Sequence, residues 1–300
     1  MEVNKSFKSG FVAIIGRPNV GKSTLMNRMI GQKVAIMSDK PQTTRHKIHS
    51  VLTRDHAQVV FLDTPGVHKP KHKLGQHMVD TALSTLKEVD LILFMVEANT
   101  PSGAGDQYIM NELSKIATPI FLIINKVDLI SKNQLLPLIA EFQTKLDFKE
   151  IIPVSALQGD NVDRLADLII RYLPEGPKYY PDDMITDKPE QFIMAELIRE
   201  KVLHLTSQEI PHSVAVVIED IQPRPNNTVY VGSLIYVERD SQKGIIIGKK
   251  GQMLKQIGQL AREDIEKLLG SKIYLELRVK VRDDWRNKEA FLKSFGYKEV

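Results

Sequence analysis

The sequence predicts an α/β fold, with a mostly parallel sheet covered by helices on both faces, followed by a smaller α+β domain. In residues 1–173, short apolar runs alternate with helical patterns, an order typical of a parallel sheet between two helical layers. Prolines at 174, 177 and 181 cannot continue a helix or lie in a central strand. We therefore expect domains at 1–173 and 185–300, joined by a proline-rich linker at 174–184.

A glycine-rich octapeptide, GRPNVGKS, occupies residues 16–23, directly after the apolar run 11–15 and before a helical pattern. This order is the context of a phosphate-binding loop, in which backbone N–H groups and a helix N-terminus face phosphate oxygens. Lys22 would reach the β- and γ-phosphates, and the Ser23 hydroxyl would bind Mg²⁺. The residues expected to line this loop are Gly16, Asn19, Val20, Gly21, Lys22, Ser23 and Thr24.

A second motif, DTPG, ends the apolar run that begins at Val59. Asp63 stands where a carboxylate would hold Mg²⁺ through water, and the Gly66 N–H would contact a γ-phosphate, because only glycine allows so close an approach. Ras-like enzymes carry a glutamine next, which orients the attacking water. Val67 cannot hydrogen-bond water, so we expect slow intrinsic hydrolysis and an accelerating group from elsewhere.

The third and fourth motifs select the base. The run 120–124 leads into NKVD, in which Asp128 can accept two hydrogen bonds from guanine. Adenine offers no such pair of donors, so the motif favours GTP over ATP. Asn125 would brace neighbouring loops, and the Lys126 stem would lie along the base. Ser155, Ala156 and Leu157 follow another apolar run and would contact the base edge.

Together these four motifs predict a P-loop GTPase domain of the Ras-like type that uses GTP/GDP and Mg²⁺. Each motif alone arises easily by chance, but all four lie in order at predicted strand ends. The catalytic groups expected from these motifs are Lys22 and Gly66.

Composition excludes several classes of protein. There is no cysteine, so neither a disulfide nor a thiolate metal cluster can form. The N-terminus lacks the apolar core of a signal peptide. The longest apolar runs, such as 91–96, fall far short of the roughly 20 residues of a membrane helix. We expect a cytoplasmic protein.

Three histidines, at positions 68, 72 and 77, lie among lysines between Gly66 and Val79. No neighbouring carboxylate or thiolate completes a metal site, and the segment coincides with the second switch. We therefore expect a mobile, solvated loop there.

The basic surplus of the chain belongs to its last sixty residues. Residues 241–300 contain 14 Lys and Arg against 8 Asp and Glu, whereas the whole chain has 41 against 37. Such a cationic region favours nucleic acid as a partner, although an anionic membrane surface would also suit it.

Within this region lies the sequence GIIIGKKG, residues 244–251. It is not a second phosphate loop, because three residues separate Gly244 from Gly248 and Lys250 stands where a hydroxyl is required. Gly248-Lys249-Lys250-Gly251 is instead typical of the GXXG loop of a KH domain, which clamps the backbone of about four nucleotides. The alternative is a simple turn between two helices with a solvated basic face.

The flanking patterns agree with a KH domain. A capping-box spacing places Asp187 as N-cap of a helix, with Glu190 three residues later. Two strands at 213–221 and 228–238, a helix ending near Gly270 and an alternating strand at 273–282 follow. This order fits the type II, prokaryotic form of the fold. The expected RNA-binding residues are Gly248, Lys249, Lys250, Gly251, Lys255, Arg278 and Lys280.

A single GTPase domain followed by a KH domain resembles the Era-like GTPase family of the TRAFAC class. The resemblance covers essentially the whole chain and rests on GRPNVGKS, PQTTRH at 41–46, DTPG, NKVD, VSAL and IIGKKG. It implies binding of the 3′ region of 16S rRNA, a role in maturation of the small ribosomal subunit, and peripheral contact with the cytoplasmic membrane. We expect a monomer.

The resemblance also bears on the ligands of the nucleotide. It implies that Thr44 joins Mg²⁺ when GTP is bound, with Thr43 as the alternative. In related GTPases with this loop, an asparagine at the position of Asn19 helps to bind K⁺ near the phosphates, where the cation supplies charge as an arginine finger does. The alternative that Asn19 only stabilises the loop stays open.

Two other functions were weighed. The protein could be an RNA chaperone or assembly protein that uses GTP mainly as a structural ligand with negligible hydrolysis, which the missing glutamine favours. A related RNA-modifying enzyme is the other, but no remaining segment is long enough for another catalytic domain.

Overall fold

The computed structural model describes residues 7–40, 42–67, 69–207 and 210–297. The chain divides into two compact units. The first contains the described residues of 1–35, 44–71 and 75–187, and the second contains those of 36–43, 72–74 and 188–300.

The elements up to residue 187 alternate between strands and helices. The strands are β1 Lys8–Gly16, β2 Ile48–Arg54, β3 Ala57–Asp63, β4 Leu91–Glu97, β5 Ile120–Asn125 and β6 Glu150–Pro153. The helices are α1 Lys22–Ile30, α2 Lys73–Thr85, α3 Ala104–Leu113, α4 Lys132–Gln143 and α5 Val162–Tyr172, with a 3₁₀ turn at Val127–Leu129.

The six strands form one sheet in the order β2-β3-β1-β4-β5-β6. Only β2 runs antiparallel to its neighbour. Alternate residues of β1 enter two different cores, with Val12 and Ile14 in one and Ala13 and Ile15 in the other, because successive side chains of a strand point to opposite faces. The predicted mostly parallel sheet with a hydrophobic core on each face is therefore confirmed.

The proline-rich segment lies against the edge of this sheet. Ser50 of β2 and Thr186 form a β-bridge, and Val51 N donates to Ile185 O (2.9 Å). The buried Gln58 side chain accepts hydrogen bonds from Tyr179 N (2.8 Å) and Tyr180 N (3.0 Å) and donates to Tyr180 O (2.9 Å). The segment thus covers backbone groups of an edge strand, and for this reason the division between units falls at residue 187.

The predicted starting residue of the helix after the linker was wrong. Helix α6 spans Glu190–Leu205, and Pro189, not Asp187, is its N-cap. Asp187 Oδ1 instead accepts a hydrogen bond from His49 N of β2 (3.1 Å). Its carboxylate therefore serves the docked linker rather than a capping box.

The elements after residue 187 form a three-stranded sheet with helices packed against it. They are α6, α7 Ile210–Ser213, β7 Ala215–Arg224, β8 Thr228–Val237, α8 Asp240–Ile247, a 3₁₀ turn Lys249–Gly251, α9 Gln252–Leu269, β9 Lys272–Val281, a 3₁₀ turn Trp285–Asn287 and α10 Glu289–Ser294. The sheet order is β7-β8-β9, with β7 antiparallel and β9 parallel to β8.

This arrangement confirms the predicted KH order, with small differences. Ser213 closes α7 instead of opening β7, and β7 continues through Pro223 to Arg224. Proline is tolerated there because β7 is an edge strand. Ile257, Ala261 and Ile265 of α9 lie on one face of that helix and pack into the core against the sheet.

Part of the second switch differs from the expected mobile loop. Helix α2 begins at Lys73, within that segment. Leu74 is 1% exposed and Met78 is fully buried, because one face of α2 packs inward. His68 lies outside the described residues, as does Pro41 of the first switch.

Candidate nucleotide-binding site and RNA-binding loop

The phosphate loop joins β1 to α1, as the motif requires. Helix α1 begins at Lys22, with Gly21 as N-cap at φ 102°. A Cβ on Gly21 would collide with the Asn125 side-chain amide. Both the left-handed backbone and this close approach therefore require glycine.

Lys22 is buried, and the partners of its ammonium within the described residues are two carbonyl oxygens. Its Nζ donates to Arg17 O (2.9 Å) and Gly16 O (3.2 Å). Burial lowers the pKa of Lys22 to about 8, although the negative charge of Asp63 works against this shift. Phosphate oxygens at this position would favour the charged ammonium again. The site is thus arranged to gain an anionic ligand.

The three residues predicted to hold Mg²⁺ converge. Ser23 Oγ donates to Asp63 Oδ2 (3.0 Å), Thr44 Oγ1 donates to the same oxygen (3.2 Å), and the two hydroxyl oxygens lie 3.0 Å apart. Thr43 Oγ1 instead donates to Lys40 O (2.6 Å). Geometry therefore favours Thr44 over Thr43.

The Asp63 carboxylate fits a divalent cation on its own environment. It is fully buried, and burial raises its pKa while Lys22 opposes the rise. Within the described chain its Oδ1 atom has no hydrogen-bond partner. Hard oxygen ligands of this kind suit Mg²⁺, so Ser23, Thr44 and Asp63 would hold the ion.

Asn125 links the phosphate loop to the fourth motif. Its Nδ2 donates to Val20 O (2.7 Å), and its Oδ1 accepts from Ala156 N (2.9 Å). The side chain is buried. It therefore holds two loops from different strand ends at fixed separation, which is the bracing role expected of it.

The remaining base-site residues lie at the ends of β5 and β6. Lys126 has left-handed backbone (φ 64°) and forms an ion pair with Glu97 at the end of β4. Asp128 is exposed on the 3₁₀ turn. Ser155 is buried, whereas Leu157 is 71% exposed. Asp128 is thus accessible to a guanine base.

Gly66 and Val67 have opposite surroundings. A Cβ on Gly66 would lie 2.9 Å from Pro18 Cα and N, so glycine is required for contact with the phosphate loop. Val67 is 2% exposed and belongs to the core that includes Val79. Its side chain therefore packs into the protein, and this position supplies no group to a water molecule.

Asn19 lies in the phosphate loop with left-handed backbone (φ 66°). Asparagine is among the few residues that adopt this conformation readily. The backbone alone is therefore a reason for asparagine, which supports the loop-stabilising alternative as much as a K⁺ ligand.

Sequence reasoning missed two residues that hold backbone near the site: Asp106, which binds the phosphate loop, and Asn27, which binds the segment after α1. Asp106 of α3 is fully buried and accepts from Arg17 Nε (2.8 Å) and Gly103 N (3.0 Å). Asn27 of α1 accepts from Val34 N and Ala35 N (2.9 Å each). An arginine inside the loop was the available signal for Asp106, since a part-buried guanidinium needs a counter-charge.

Arg17 is an arginine of the phosphate loop itself, and its Nε is bound by the carboxylate of Asp106. A Cβ on Gly105 would lie 2.9 Å from Arg17 Cδ, so the Arg17 side chain runs along the first turn of α3. The described geometry therefore assigns Arg17 to bracing the loop.

In the second unit, the GXXG loop has the backbone that its glycines allow. Gly248 has φ 71° and ψ 175°, Lys250 has φ 50° and Gly251 has φ 77°. A Cβ on Gly248 would lie 2.7 Å from Met253 Cβ. The side chains of Lys249 and Lys250 are exposed, as a phosphate-binding loop requires.

The seven predicted RNA-binding residues do not all lie together. Lys255 is exposed on α9, just after the GXXG loop. Arg278 and Lys280 alternate along β9 with the core residues Leu277 and Val279, so they lie on the sheet face opposite α9. Arg278 contacts Glu219 there (2.9 Å).

Among the described residues, no three His, Asp or Glu side chains are grouped as metal ligands. Within the same part of the chain, no helix combines the length and the apolar character needed to span a bilayer.

Two family models match the chain, one mainly in the first unit and one in the second. Residues 11–126 match the family described as 50S ribosome-binding GTPase, and residues 209–286 match the KH domain. The chain is similar to a crystal structure of Era in complex with MgGDPNP and nucleotides 1506–1542 of 16S ribosomal RNA, at 45% identity and a TM-score of 0.94, covering 97% of this chain and 99% of that chain.

An Era variant of Aquifex aeolicus bound to GDP·AlF₄⁻ is similar to the same degree, with 45% identity, a TM-score of 0.94 and the same coverage of both chains. The similarity thus spans the phosphate loop and the GXXG loop in one alignment. The chain belongs to the Era family of GTPases.

Proposed function

We propose that this protein is a GTP-hydrolysing switch that binds the 3′ region of 16S rRNA through its KH domain and acts in assembly of the small ribosomal subunit. One observation carries the proposal: a single chain combines a converged Mg²⁺ ligand set with an exposed GXXG loop, and it matches over 97% of its length a protein crystallised with MgGDPNP and 16S rRNA.

For hydrolysis, the chain itself supplies positioning and charge. Lys22, freed from its carbonyl partners, would contact the β- and γ-phosphates, and the Gly66 N–H would bind a γ-phosphate oxygen. Mg²⁺ held by Ser23, Thr44 and Asp63 would neutralise charge between the same phosphates. Asp128 and Asn125 would fix the guanine end of the nucleotide.

A water-orienting side chain is the missing component, because Val67 is in the core. We propose slow basal hydrolysis, accelerated by K⁺ near Asn19 or by a partner. Single-turnover rates at equal ionic strength in KCl and in NaCl test the first route. A faster rate in K⁺ that an Asn19→Ala variant loses supports it, and equal rates in both salts refute it.

The first switch offers a route from nucleotide to RNA. Residues 36–43, directly before Thr44, group with the second unit. Glu200 accepts from Met37 N (2.9 Å), and His204 Nε2 donates to Met37 O (2.8 Å). The buried Arg199 binds the Thr43 carbonyl. Capture of Thr44 by Mg²⁺–GTP would therefore pull on contacts of α6.

The central experiment measures RNA affinity in both nucleotide states. The full chain, loaded with MgGDP or with MgGDPNP, is titrated with the RNA of nucleotides 1506–1542. We expect tighter binding with GDPNP. Identical affinities in the two states would contradict the switch, and no RNA binding in either state would contradict the whole proposal.

The alternative, GTP as a structural ligand, is favoured by the buried Val67. Single-turnover hydrolysis with and without small-subunit RNA separates the two functions. Hydrolysis that stays negligible in K⁺ and with RNA present would establish the alternative. Monomeric state and peripheral contact with the cytoplasmic membrane remain parts of the proposal, to be checked by light scattering and by flotation with anionic vesicles.

A further inference from the structure

On the face opposite α9, part of the sheet of the second unit is left uncovered by the described helices, whereas at one end of this face Phe295, directly after α10, stacks on Tyr236 (ring centroids 4.7 Å apart). We call the uncovered part the open face and define it by Arg224 of β7, Tyr230 of β8, and Tyr274, Arg278 and Lys280 of β9. Neighbouring residues in these strands, such as Val231, Ile273 and Val279, enter the core on the other side. Since side chains alternate along a strand, the five defining residues share one surface.

Two tyrosines of the open face form a platform. Tyr230 and Tyr274 are paired in register across β8 and β9. Their ring centroids lie 6.1 Å apart with 18° between the ring planes. The guanidinium carbon of Arg224 lies 4.5 Å from the first ring centroid and 4.9 Å from the second. Tyr274 is 54% exposed, so aromatic surface remains open.

Neighbouring groups fix the orientation of the Tyr230 ring. Tyr230 Oη donates to Glu276 Oε2 (2.7 Å). A Cβ on Gly232 would lie 2.9 Å from that same Oη, so the ring lies over a glycine of its own strand. The orientation of Tyr230 is thus fixed before any ligand arrives, which reduces the entropic cost of binding.

Side-chain charges of both signs lie on or beside the open face. Glu276 accepts from Tyr230, Glu219 pairs with Arg278 (2.9 Å), and Asp220 accepts from Gln222 (2.7 Å). Hydrogen bonds from a neutral hydroxyl or amide leave the negative charges of Glu276 and Asp220 in place. The cation that lies against the stacked rings is Arg224, which has no salt-bridge partner within the described chain. The platform therefore offers a ligand an arginine plane beside aromatic surface.

We propose that Arg224, Tyr230 and Tyr274 form a second RNA subsite, which stacks an unpaired nucleobase of the strand whose neighbouring part is held by the GXXG loop. Unpaired bases of RNA are recognised by stacking on aromatic rings and on arginine planes, and this platform offers both. Lys280, six residues further along β9 on the same face, would meet a phosphate of a more distant nucleotide.

The length of the RNA is a reason to expect a second subsite. This inference rests on the proposed function. A GXXG loop holds about four nucleotides, whereas the similar Era structure contains nucleotides 1506–1542. An RNA of that length extends well beyond the GXXG loop, and the platform of Arg224, Tyr230 and Tyr274 can stack a base of the part that extends.

The test compares two RNAs on the full chain loaded with MgGDPNP. One is a hexanucleotide from the 3′ end, and the other spans nucleotides 1506–1542. Tyr274→Ala should weaken binding of the long RNA about tenfold and leave the hexanucleotide unchanged. Tyr274→Phe, which keeps the ring, should bind both as the original protein does. Tyr108→Ala, which removes an exposed tyrosine of α3 (45% exposed, against 54% for Tyr274), is the matched control.

The outcomes separate this inference from the function it rests on. If Tyr274→Ala and Arg224→Ala bind the long RNA as tightly as the original protein, the subsite is refuted, while binding of the hexanucleotide still supports the proposed function. If the original protein binds neither RNA, the proposed function itself fails. Weaker binding of the long RNA alone, by both variants and not by the control, establishes the subsite.

Discussion

Val67 belongs to the hydrophobic core although it directly follows Gly66, which contacts the phosphate loop. A glutamine there would bury an amide among apolar side chains. Such burial without a hydrogen-bond partner costs about 1–3 kcal/mol in proteins. Packing therefore explains why a valine occupies this position, and the slow intrinsic hydrolysis that we expect is a consequence of this packing.

Val67→Gln is accordingly expected to lower the free energy of unfolding by about 1–3 kcal/mol without accelerating hydrolysis, because the amide lies in the core. Urea unfolding and single-turnover GTP hydrolysis measure the two effects. Val67→Ala, which removes bulk without adding an amide, is the control. A tenfold faster reaction in the glutamine variant would show that the side chain reaches the phosphates after all.

Arg17 and Asp106 form the second informative pair of residues. Asp106 is 1% exposed at its side chain and Arg17 is 24% exposed, so removal of either leaves the other poorly solvated. Residues in direct contact are coupled by about 0.5–3 kcal/mol. The pair also fixes the loop whose carbonyls hold Lys22.

We therefore expect Arg17→Ala and Asp106→Ala to be less than additive in a double-mutant cycle of unfolding free energies, with a coupling of about 1–2 kcal/mol. Each single variant should also bind GTP and GDP more weakly, by a similar factor, because the phosphate loop loses its brace. Arg54→Ala and Asp167→Ala, an exposed pair 2.6 Å apart, provide the comparison. Full additivity at the buried pair would exclude the bracing role.

At the scale of elements, the contacts of the linker with the sheet could not be predicted from the sequence. The strand and motif positions of the first unit were predictable, because each motif is a local pattern at the end of an apolar run. The alternation of β9 was predictable for the same reason. Docking of residues 179–187 on β2 was not, because it depends on backbone groups and on Gln58, a polar residue with no periodic signal.

The same limit explains two other differences. The alternation of β9 predicts two faces, but which face carries the GXXG loop is decided by how α9 packs. Arg278 and Lys280 were therefore grouped with that loop although they lie opposite it. Likewise Asp187 has the spacing of a capping residue, but its carboxylate accepts a hydrogen bond from His49 N, which is 138 residues away in sequence.

Gln58→Ala tests the linker as an element. The change removes three hydrogen bonds to the backbone of Tyr179 and Tyr180, each of which contributes about 0.5–1.5 kcal/mol net. We expect residues 178–182 to become sensitive to limited proteolysis, detected by mass spectrometry of the fragments. Gln143→Ala, at an exposed end of α4, should leave the cleavage pattern unchanged. Unaltered resistance in Gln58→Ala would mean that the linker is held by other contacts.

At the scale of the whole molecule, the two sites must be coupled in both directions if GTP controls RNA binding. When GDPNP tightens RNA binding by some factor relative to the nucleotide-free protein, RNA must tighten GDPNP binding by the same factor, because the coupling free energy is shared. Lys249 and Lys250 are exposed on the GXXG loop and far in sequence from every nucleotide motif. They belong to the second unit and the nucleotide motifs belong to the first, so the change removes no residue of the nucleotide site.

The double change Lys249→Ala and Lys250→Ala should reduce the slope of log affinity for single-stranded RNA against log salt by about 1.4, since each phosphate contact contributes about 0.7. It should also abolish the effect of the hexanucleotide on GDPNP affinity while leaving that affinity unchanged when RNA is absent. Fluorescence titrations with each ligand, at several KCl concentrations, measure all three quantities. An unchanged salt slope would place the phosphate contacts elsewhere, and unequal coupling factors in the two directions would show that the titrations had not reached equilibrium. Gly248 is a poorer choice for the same test, because any side chain there meets Met253 and alters the loop itself.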